Sequence, residues 1–240
     1  MQSKKKKSIS KDFFSDEWEQ IYSLKNHNST WPWTDLISIF YKNCSSLIKK
    51  DNKKVLELGC GAGANIPFFE SIGFEYFGVD GSKTAVKNLI KKYPNLKDNI
   101  LVADFSENIP AILGSKFDLI IDRASITHNN TKGIKKTLNI VRSKMSQHSY
   151  FIGIDWFASE HSAYKLGKLG DDKFTRDNLP SYTEFFKTGN VHFSSKSHLK
   201  SLFNNFKLIA LNKKKLESKI PNKKYTEVKW DIVAKKKILS

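Results

Sequence analysis

Residues 55–64 read VLELGCGAGA, an apolar run that passes directly into alternating glycines. A residue without a Cβ atom adopts positive φ readily and lets the backbone approach a ligand closely. A strand that ends in such a loop therefore predicts a site where bare backbone contacts a small molecule. The spacing E-x-G-x-G-x-G differs from the G-x-G-x-x-G of dinucleotide folds, whose last glycine brings a helix close to a pyrophosphate. This spacing, with Glu57 before the turn, favours a ligand without phosphates that carries an ammonium or sulfonium charge.

A second apolar run, Tyr76–Val79, ends in Asp80, roughly twenty residues after the first glycine, as in nucleotide-binding folds. An acidic residue at the end of the second strand suits the paired hydroxyls of a ribose. Its charge would strengthen both hydrogen bonds. Ser82 is better placed than Asp80 to cap the helix that follows. We therefore expect the ligand to contain a nucleoside.

Four ordered motifs in this part of the chain resemble those of the class I S-adenosylmethionine-dependent methyltransferases. They are ELGCGAG at 57–63, GVDGS at 78–82, VADF at 102–105 and FDLIIDRASITH at 117–128. The resemblance covers about residues 55–155 and implies an α/β fold. This fold is a Rossmann-like, doubly wound, seven-stranded and mostly parallel sheet with an antiparallel C-terminal hairpin. The resemblance also implies S-adenosylmethionine as the cofactor and methyl transfer as the activity.

The cofactor-binding residues are implied by the same resemblance. Glu57 would hold the methionine ammonium, Asp80 the ribose hydroxyls and Asp104 the adenine amine, with Phe105 against the adenine ring. Each acidic residue has an ordinary alternative: a salt bridge for Glu57, a helix cap for Asp80 and a turn for Asp104. The full expected set is Trp31, Glu57, Gly59, Cys60, Gly61, Gly63, Asp80, Gly81, Asp104, Phe105 and Asp122.

The candidate catalytic residues follow the fourth and fifth predicted strands, because open α/β sheets bind ligands at the carboxyl ends of their strands. A hydroxyl nucleophile must lose its proton, and a base with a pKa near neutrality removes it best. His128 is the first candidate, although a histidine after a strand also caps a helix or packs without any chemistry. Asp155 and His161 compete for the role or orient the base. The histidines and carboxylates show no recognised metal-ligand spacing, so no metal is expected.

The region ahead of the glycine loop is predicted to lie outside the methyltransferase domain. Residues 1–12 are lysine-rich and polar, which predicts a disordered tail. Residues 13–50 are predicted to be a helical lid, in which Thr34 is the N-cap of the second helix and Trp31 or Trp33 walls the methyl-transfer cavity. Residues 51–240 would then form the methyltransferase domain, with 156–190 as an insertion on the substrate side.

Hydrophobic patterning predicts alternating strands and helices. The predicted strands are 54–58, 76–79, 100–103, 117–122, 150–155, 207–212 and 227–235, and the predicted helices are 65–71, 83–92, 133–146 and 194–203.

The net charge of +17 suits a nucleic-acid partner, because lysine and arginine neutralise phosphates. Nucleic-acid readers rely on arginine, however, and the arginines are only Arg123, Arg142 and Arg176. The sequence also lacks an Asn-Pro-Pro-Tyr or Asp-Pro-Pro-Tyr stretch, which argues against methylation of base amines. The favoured acceptor is therefore a small polar molecule, most simply a hydroxyl of a sugar, nucleotide-sugar or glycan precursor. The alternatives are an RNA methyltransferase and a catalytically inactive, methyltransferase-like partner subunit.

The remaining composition bears on location. The chain contains 2 cysteines, which argues against a disulfide framework and suits a reducing compartment. No apolar run approaches the roughly 18 residues of a membrane span, and no apolar stretch follows the basic N-terminus as in a signal peptide. We therefore expect a cytoplasmic protein.

Overall fold

The computed structural model describes residues 16–24, 29–114, 116–221 and 224–237. The tail predicted at residues 1–12 lies outside this part of the chain. The first half consists of α1 (Asp16–Ser23), α2 (Thr34–Cys44), β1 (Lys54–Leu58), α3 (Ile66–Ser71), β2 (Glu75–Asp80), α4 (Lys83–Lys92), β3 (Ile100–Val102), β4 (Phe117–Arg123) and α5 (Thr131–Lys144). The second half consists of β5 (Met145–Phe157), β6 (Lys168–Leu169), β7 (Thr175–Asp177), β8 (Val191–His192), α6 (Lys196–Leu202), β9 (Phe206–Glu217) and β10 (Thr226–Lys236).

Seven strands form one sheet in the order β3-β2-β1-β4-β5-β10-β9. The pairs β1 with β2, β1 with β4, β2 with β3 and β4 with β5 are parallel, whereas β10 is antiparallel to both of its neighbours. The predicted sheet and its C-terminal hairpin are confirmed. The order reverses between β1 and β4, and in open α/β sheets such a switch point places the ligand crevice at the carboxyl ends of these strands.

The central strands are covered on both faces, so their sequences are continuous apolar runs rather than alternating ones. On one face, apolar side chains of α2, α3 and α4 pack against Val55, Leu119 and Ile121. On the other face, those of α5 and α6 pack against Leu56 and Ile120. The side chains of neighbouring residues in a strand point to opposite faces, which is why residues 55 and 56 belong to different clusters.

Two predicted boundaries near the middle of the chain are wrong. The helix predicted to end at residue 146 ends at Lys144, and the next strand begins at Met145, five residues earlier than Tyr150. This strand also continues to Phe157, because β10 pairs with it up to Lys229. The early start coincides with pairing of Met145 to Phe117 of β4, ahead of the apolar run from Tyr150.

The described part of the region predicted as a lid contains two helices, α1 and α2. Of these, α2 buries Leu36 and Phe40 against the sheet, so it belongs to the body of the fold. Thr34 is the first helical residue rather than the N-cap, and Trp33 occupies the cap position with an extended backbone and no capping side chain. The tryptophan takes this position because its backbone N–H donates to Asn65 Oδ1 at 3.3 Å.

The predicted insertion at 156–190 contributes to a small antiparallel sheet of β6, β7 and β8. It packs around an apolar cluster that includes Phe157, Phe185 and Phe193. This cluster lies beside the carboxyl end of β5 and fixes the insertion against the main sheet. Within the described residues, no helix is both long enough and apolar enough to cross a bilayer.

Candidate functional site

A cavity of about 340 Å³ lies at the carboxyl ends of the central strands. The loops after β1, β2, β3 and β4 and the carboxyl end of β5 contribute to its wall, as the switch point predicts. One half is lined by the glycine loop with Glu57, Asp80, Asp104 and Phe105. The other half is lined by Arg123, His128, Asn129, Asp155, Phe157, Glu184, Phe185, Thr188 and Lys229.

The glycines of the loop after β1 lie close to side chains of other segments. Gly59 has a φ of +67°, and a Cβ atom at this position would lie 2.0 Å from Ser125 Oγ. A Cβ atom at Gly61 would lie 2.3 Å from the Tyr22 hydroxyl. Gly63 is different: it does not line the cavity, and the space beside it is filled by side chains of Ile66 and Leu89. Gly63 is predicted to contact the cofactor. In the structure it instead allows side chains of α3 and α4 to pack closely against the loop.

Asp80 lies at the cavity wall next to Gly81, with 6% of its surface exposed. Its Oδ2 accepts a hydrogen bond from the Gly61 N–H at 2.9 Å, and its Oδ1 accepts from the Ser82 N–H at 2.8 Å. Burial raises the pKa of Asp80 to about 6, although both backbone donors oppose the shift. Ser82 caps α4 by accepting from the Ala85 N–H at 3.0 Å, so the alternative role of Asp80 as the cap is excluded.

Glu57 is buried at the same wall, where it accepts hydrogen bonds from the Tyr76 hydroxyl at 2.5 Å and from Asn65 Nδ2 at 2.7 Å. Burial raises the pKa of Glu57 to about 7, and the charges of Asp122 and Asp80 act in the same direction. Both partners within the described chain are neutral donors, so the alternative salt bridge is absent there. A cationic group bound in the cavity would stabilise the ionised carboxylate.

Asp104 and Phe105 also line this half of the cavity. Asp104 Oδ1 accepts from the backbone N–H of Ser106 at 2.9 Å and from its hydroxyl at 2.5 Å. Asp104 therefore forms the turn named as its alternative role while standing at the cavity. Cys60 lines the wall as well, and burial raises the pKa of its thiol well above the usual value.

Asp122 does not reach the cavity, contrary to the prediction that it binds the cofactor. Its Oδ1 accepts from the N–H groups of Ser125 and Ile126 at 3.0 Å each, and its Oδ2 accepts from Trp156 Nε1 at 2.7 Å. Burial raises the pKa of Asp122 to about 7. At the end of a strand buried on both faces, the carboxylate turns inward and holds the loop that carries His128.

His128 lines the half of the cavity that lies away from the glycine loop. Its Nδ1 lies 3.1 Å from the carbonyl oxygen of Asn190, and its ring packs edge-on against Trp18 at a centroid distance of 4.9 Å. Because a carbonyl oxygen only accepts, the Nδ1 atom carries a proton and the neutral ring has its lone pair on Nε2. The contact with Asn190 therefore fixes both the tautomer and the orientation of the ring.

Asp155 lines the cavity, but its electrostatic surroundings suit a base poorly. Its Oδ2 pairs with Arg123 Nη2 at 2.9 Å and its Oδ1 with Lys214 Nζ at 2.8 Å. Burial opposes ionisation, yet the hydrogen bond from Lys214 and the charge of Arg123 outweigh it and lower the pKa of Asp155. A carboxylate stabilised in this way has little tendency to take a proton.

His161 lies outside the cavity and is 1% exposed, contrary to its prediction as a catalytic candidate. Its Nδ1 accepts from the Ala163 N–H at 3.2 Å. Its Nε2 lies 3.1 Å from Glu184 Oε1, and this carboxylate lines the cavity. The aromatic rings of the insertion enclose the imidazole, so it can orient a neighbour but cannot contact a substrate.

Trp33, rather than Trp31, reaches the cavity. Trp31 is 78% exposed because Pro32 separates it from the start of α2. The Trp33 ring lies under the Arg123 guanidinium, 3.5 Å from the guanidinium carbon to the ring centroid. Arg123 is thus held by both a ring and a carboxylate.

Helix α1 supplies Trp18 and Tyr22 to the cavity wall. Glu19 attaches this helix to the start of α4: it accepts from the Ser82 hydroxyl at 2.6 Å and from the Thr84 hydroxyl at 2.5 Å. The sequence predicts the helix but not this attachment. It also gives no signal for Glu184, which a long insertion brings to the site.

The two cysteines are free and buried. Among the described residues, no group of three or more histidine, cysteine or carboxylate side chains could hold a metal ion.

A family model described as a methyltransferase domain matches residues 35–210. Several solved methyltransferases have a similar structure. One from Anabaena variabilis shares 16% identity, with 97% of this chain and 100% of that chain covered and a TM-score of 0.64. One from Methanosarcina mazei shares 15%, with 82% and 98% covered and a TM-score of 0.61.

Magnesium protoporphyrin IX methyltransferase from Synechocystis PCC 6803, solved with bound S-adenosylmethionine, shares 15% identity, with 92% of this chain and 90% of that chain covered and a TM-score of 0.50. At these identities the likeness shows the fold alone. No curated protein matches the sequence.

Proposed function

We propose, because this chain belongs to the family of methyltransferase domains, that it transfers a methyl group from S-adenosylmethionine to a hydroxyl of a small polar acceptor, a sugar or glycan precursor. One observation carries the proposal: the same cavity is lined by the glycine loop and by His128. Cofactor and acceptor would therefore meet in one chamber, which an in-line displacement requires.

The cofactor half fits a cationic nucleoside. Glu57 would hold the methionine ammonium, Asp80 the ribose hydroxyls, and Asp104 with Phe105 the adenine. Gly59 and Gly61 leave no room for side chains, so the backbone itself forms this wall. When bound, S-adenosylmethionine supplies an electrophilic methyl group on a sulfonium.

The acceptor half provides a base for a hydroxyl nucleophile. His128 would take the hydroxyl proton on Nε2 while its Nδ1–H stays bonded to the Asn190 carbonyl oxygen. This bond fixes the ring plane and stabilises the imidazolium that forms. Trp18 of α1 packs on the same ring and narrows the chamber, which favours a small acceptor over a polymer.

The arginines give little support to the RNA alternative. Arg123 is held by Trp33 and Asp155, and Arg176 donates to the Tyr164, Lys173 and Thr175 carbonyl oxygens. Guanidinium groups engaged in this way are not presented to phosphates or base edges.

Calorimetric titration of S-adenosylmethionine and S-adenosylhomocysteine tests the cofactor. We expect micromolar dissociation constants for the wild type, a loss of binding in Asp80→Ala, and no change in Asp98→Ala, a matched variant at an exposed aspartate. Absence of binding to the wild type would refute the cofactor assignment.

Transfer of a labelled methyl group to monosaccharides, nucleotide-sugars and RNA then tests the acceptor. Label on a sugar oxygen is the expected outcome. Label on RNA, with binding that weakens steeply as salt rises, would replace the proposal with the RNA alternative. Cofactor binding without transfer to any of these acceptors would favour the inactive partner subunit.

A further inference from the structure

Glu184 places a carboxylate at the acceptor wall from a segment that the catalytic motifs do not include. It lies in the insertion between β7 and β8, and its side chain keeps 36% of its surface accessible. It lines the same cavity as His128, together with Phe185 and Thr188. Its carboxylate can therefore contact a molecule that His128 deprotonates.

Two side chains outside the cavity hold this carboxylate in place. His161 Nε2 lies 3.1 Å from Glu184 Oε1, and the Tyr225 hydroxyl donates to Oε2 at 2.7 Å. His161 is oriented in turn by the Ala163 N–H. Burial opposes ionisation of Glu184, but the hydrogen bonds from His161 and Tyr225 outweigh it and keep its pKa below the usual value. The carboxylate is thus both ionised at neutral pH and fixed in direction.

The lysine and arginine side chains that line this half of the cavity are paired with acidic groups other than Glu184. The two cations of this wall each have an acidic partner: Arg123 pairs with Asp155 at 2.9 Å, and Lys229 pairs with Glu227 at 2.8 Å. Within the described chain, no lysine or arginine forms an ion pair with Glu184. The basic neighbour of Glu184 is the His161 imidazole, which lies outside the cavity, so on the cavity side the ionised carboxylate favours a cationic ligand group.

Two aromatic rings line the same cavity as Glu184. Phe157 and Phe185 pack edge-to-face with centroids 4.6 Å apart, and both line the cavity. Ring faces attract ammonium groups, and a carboxylate beside such rings adds a charge-assisted hydrogen bond. The same rings offer nothing to a phosphate or a carboxylate.

We propose that Glu184 is a specificity-determining residue that binds a protonated amino group of the acceptor. This inference rests on the proposed hydroxyl methylation and narrows its acceptor to amino alcohols and amino sugars. The ammonium binds between Glu184 and the two phenylalanine rings, which presents a hydroxyl of the same molecule to His128. His161 and Tyr225 are positioning residues that act through Glu184.

The test is a binding panel on the full chain loaded with S-adenosylhomocysteine, measured by ligand-observed NMR. The panel consists of matched pairs: 2-aminoethanol with ethylene glycol, 2-amino-1,3-propanediol with glycerol, and glucosamine with glucose. For the wild type we expect the amino member of each pair to bind about tenfold more tightly, as a charge-assisted contact implies. Equal binding within each pair, or binding of no member, would overturn the inference.

Variants separate recognition from a merely structural effect. Glu184→Gln keeps the shape and the Tyr225 contact but removes the charge, so the amino preference should disappear while binding of the neutral member of each pair is retained. Tyr225→Phe should lose part of the preference. Glu160→Gln, at an exposed glutamate that pairs with Lys213, is the matched control and should keep it. A preference that survives Glu184→Gln would overturn the assignment.

The panel measures binding and requires no methyl transfer. A negative result for Glu184 can therefore be told apart from a negative result for hydroxyl methylation. Methyl transfer to neutral sugars without an amino preference would retain hydroxyl methylation and reject the role of Glu184. An amino preference that depends on Glu184, with no transfer to any hydroxyl, would retain the binding site and reject hydroxyl methylation.

Discussion

The imidazole of His128 and the backbone carbonyl of Asn190 are joined by a 3.1 Å contact through Nδ1. Close by, the N–H of His192 donates to the Thr127 carbonyl oxygen at 2.8 Å. Two neighbouring contacts thus bind the loop after β4 to the strand that ends the insertion. The orientation of the proposed base therefore depends on a residue 62 positions later in the sequence. The folded insertion brings this residue next to the loop after β4.

Replacement of His128 by alanine should slow methyl transfer to a hydroxyl. We expect kcat to fall by about 10² to 10⁴, the usual contribution of a general base, while the dissociation constant of S-adenosylhomocysteine changes little. Steady-state kinetics and calorimetry measure the two quantities. His148→Ala, at an exposed histidine of β5, is the matched control. Equal losses in kcat and in cofactor affinity would show instead that His128 supports the pocket.

Cofactor binding should release protons near neutral pH. Burial raises the pKa of Glu57 to about 7, so at pH 6.5 much of this carboxyl is protonated in the free chain. A bound ammonium stabilises the anion and lowers the pKa, so a proton leaves and affinity rises between about pH 6 and 8. Titrations in phosphate and Tris buffers reveal the release as a difference in observed enthalpy. Glu57→Gln should abolish it and Glu75→Gln, at an exposed glutamate, should not.

The same shift predicts how the stability of the free chain depends on pH. The folded chain binds more protons than the unfolded chain between the ordinary pKa of 4.5 and the raised pKa of about 7. Stability contributed by the protonated Glu57 is present below this interval and is lost as the pH rises through it. The melting temperature of Glu57→Gln should therefore fall less over this interval than that of the wild type. An identical fall in both proteins would contradict the assignment.

The two tryptophans around Pro32 should respond differently to truncation. Trp33→Ala removes a ring that lies 3.5 Å from the Arg123 guanidinium, which should cost about 1 to 2 kcal/mol of stability and reduce methyl transfer. Trp31→Ala removes a ring that is 78% exposed, so it should change stability by less than about 0.5 kcal/mol. Chemical denaturation compares the two. Similar costs would mean that Trp31 has contacts beyond its exposed position.

Gly59→Ala should be destabilising for two separable reasons. Its positive φ alone costs an L-residue about 1 to 2 kcal/mol, and the new methyl group would lie 2.0 Å from Ser125 Oγ. Ser125→Gly removes the side chain that clashes. The double variant should therefore recover the steric part and retain the backbone part, as a double-mutant cycle on unfolding free energies would show. Additive effects would mean that the two loops move apart to accommodate the methyl group.

Apolar runs and glycines predict the sheet well, because both reflect requirements of the backbone and of burial at their own positions. The strands β1, β2 and β4 lie where continuous apolar segments predict them, since burial on both faces requires such segments. Asp80 and Glu57 reach the cavity because each ends or nearly ends one of these strands. Their positions follow from the strand boundaries alone.

Other positions depend on contacts between distant segments, which no local pattern encodes. Asp122 is the second-last residue of its strand, close to the position that Asp80 has in β2, but Trp156 and the following loop use both of its oxygens. His161 has the chemistry of a base, yet packing within the insertion removes it from the cavity. Glu184 becomes part of the site only through the fold of that insertion.

The outermost strand of the sheet, β9, bears on self-association through backbone pairing. β9 is 12 residues long and pairs with β10 on one side, so its other edge offers backbone groups to any extended chain nearby. Lys207, Lys213 and Lys215 are exposed along it. Lysines along an edge strand oppose its pairing with another edge. A strongly hydrated ammonium suits this position better than a guanidinium, which stacks readily on other groups.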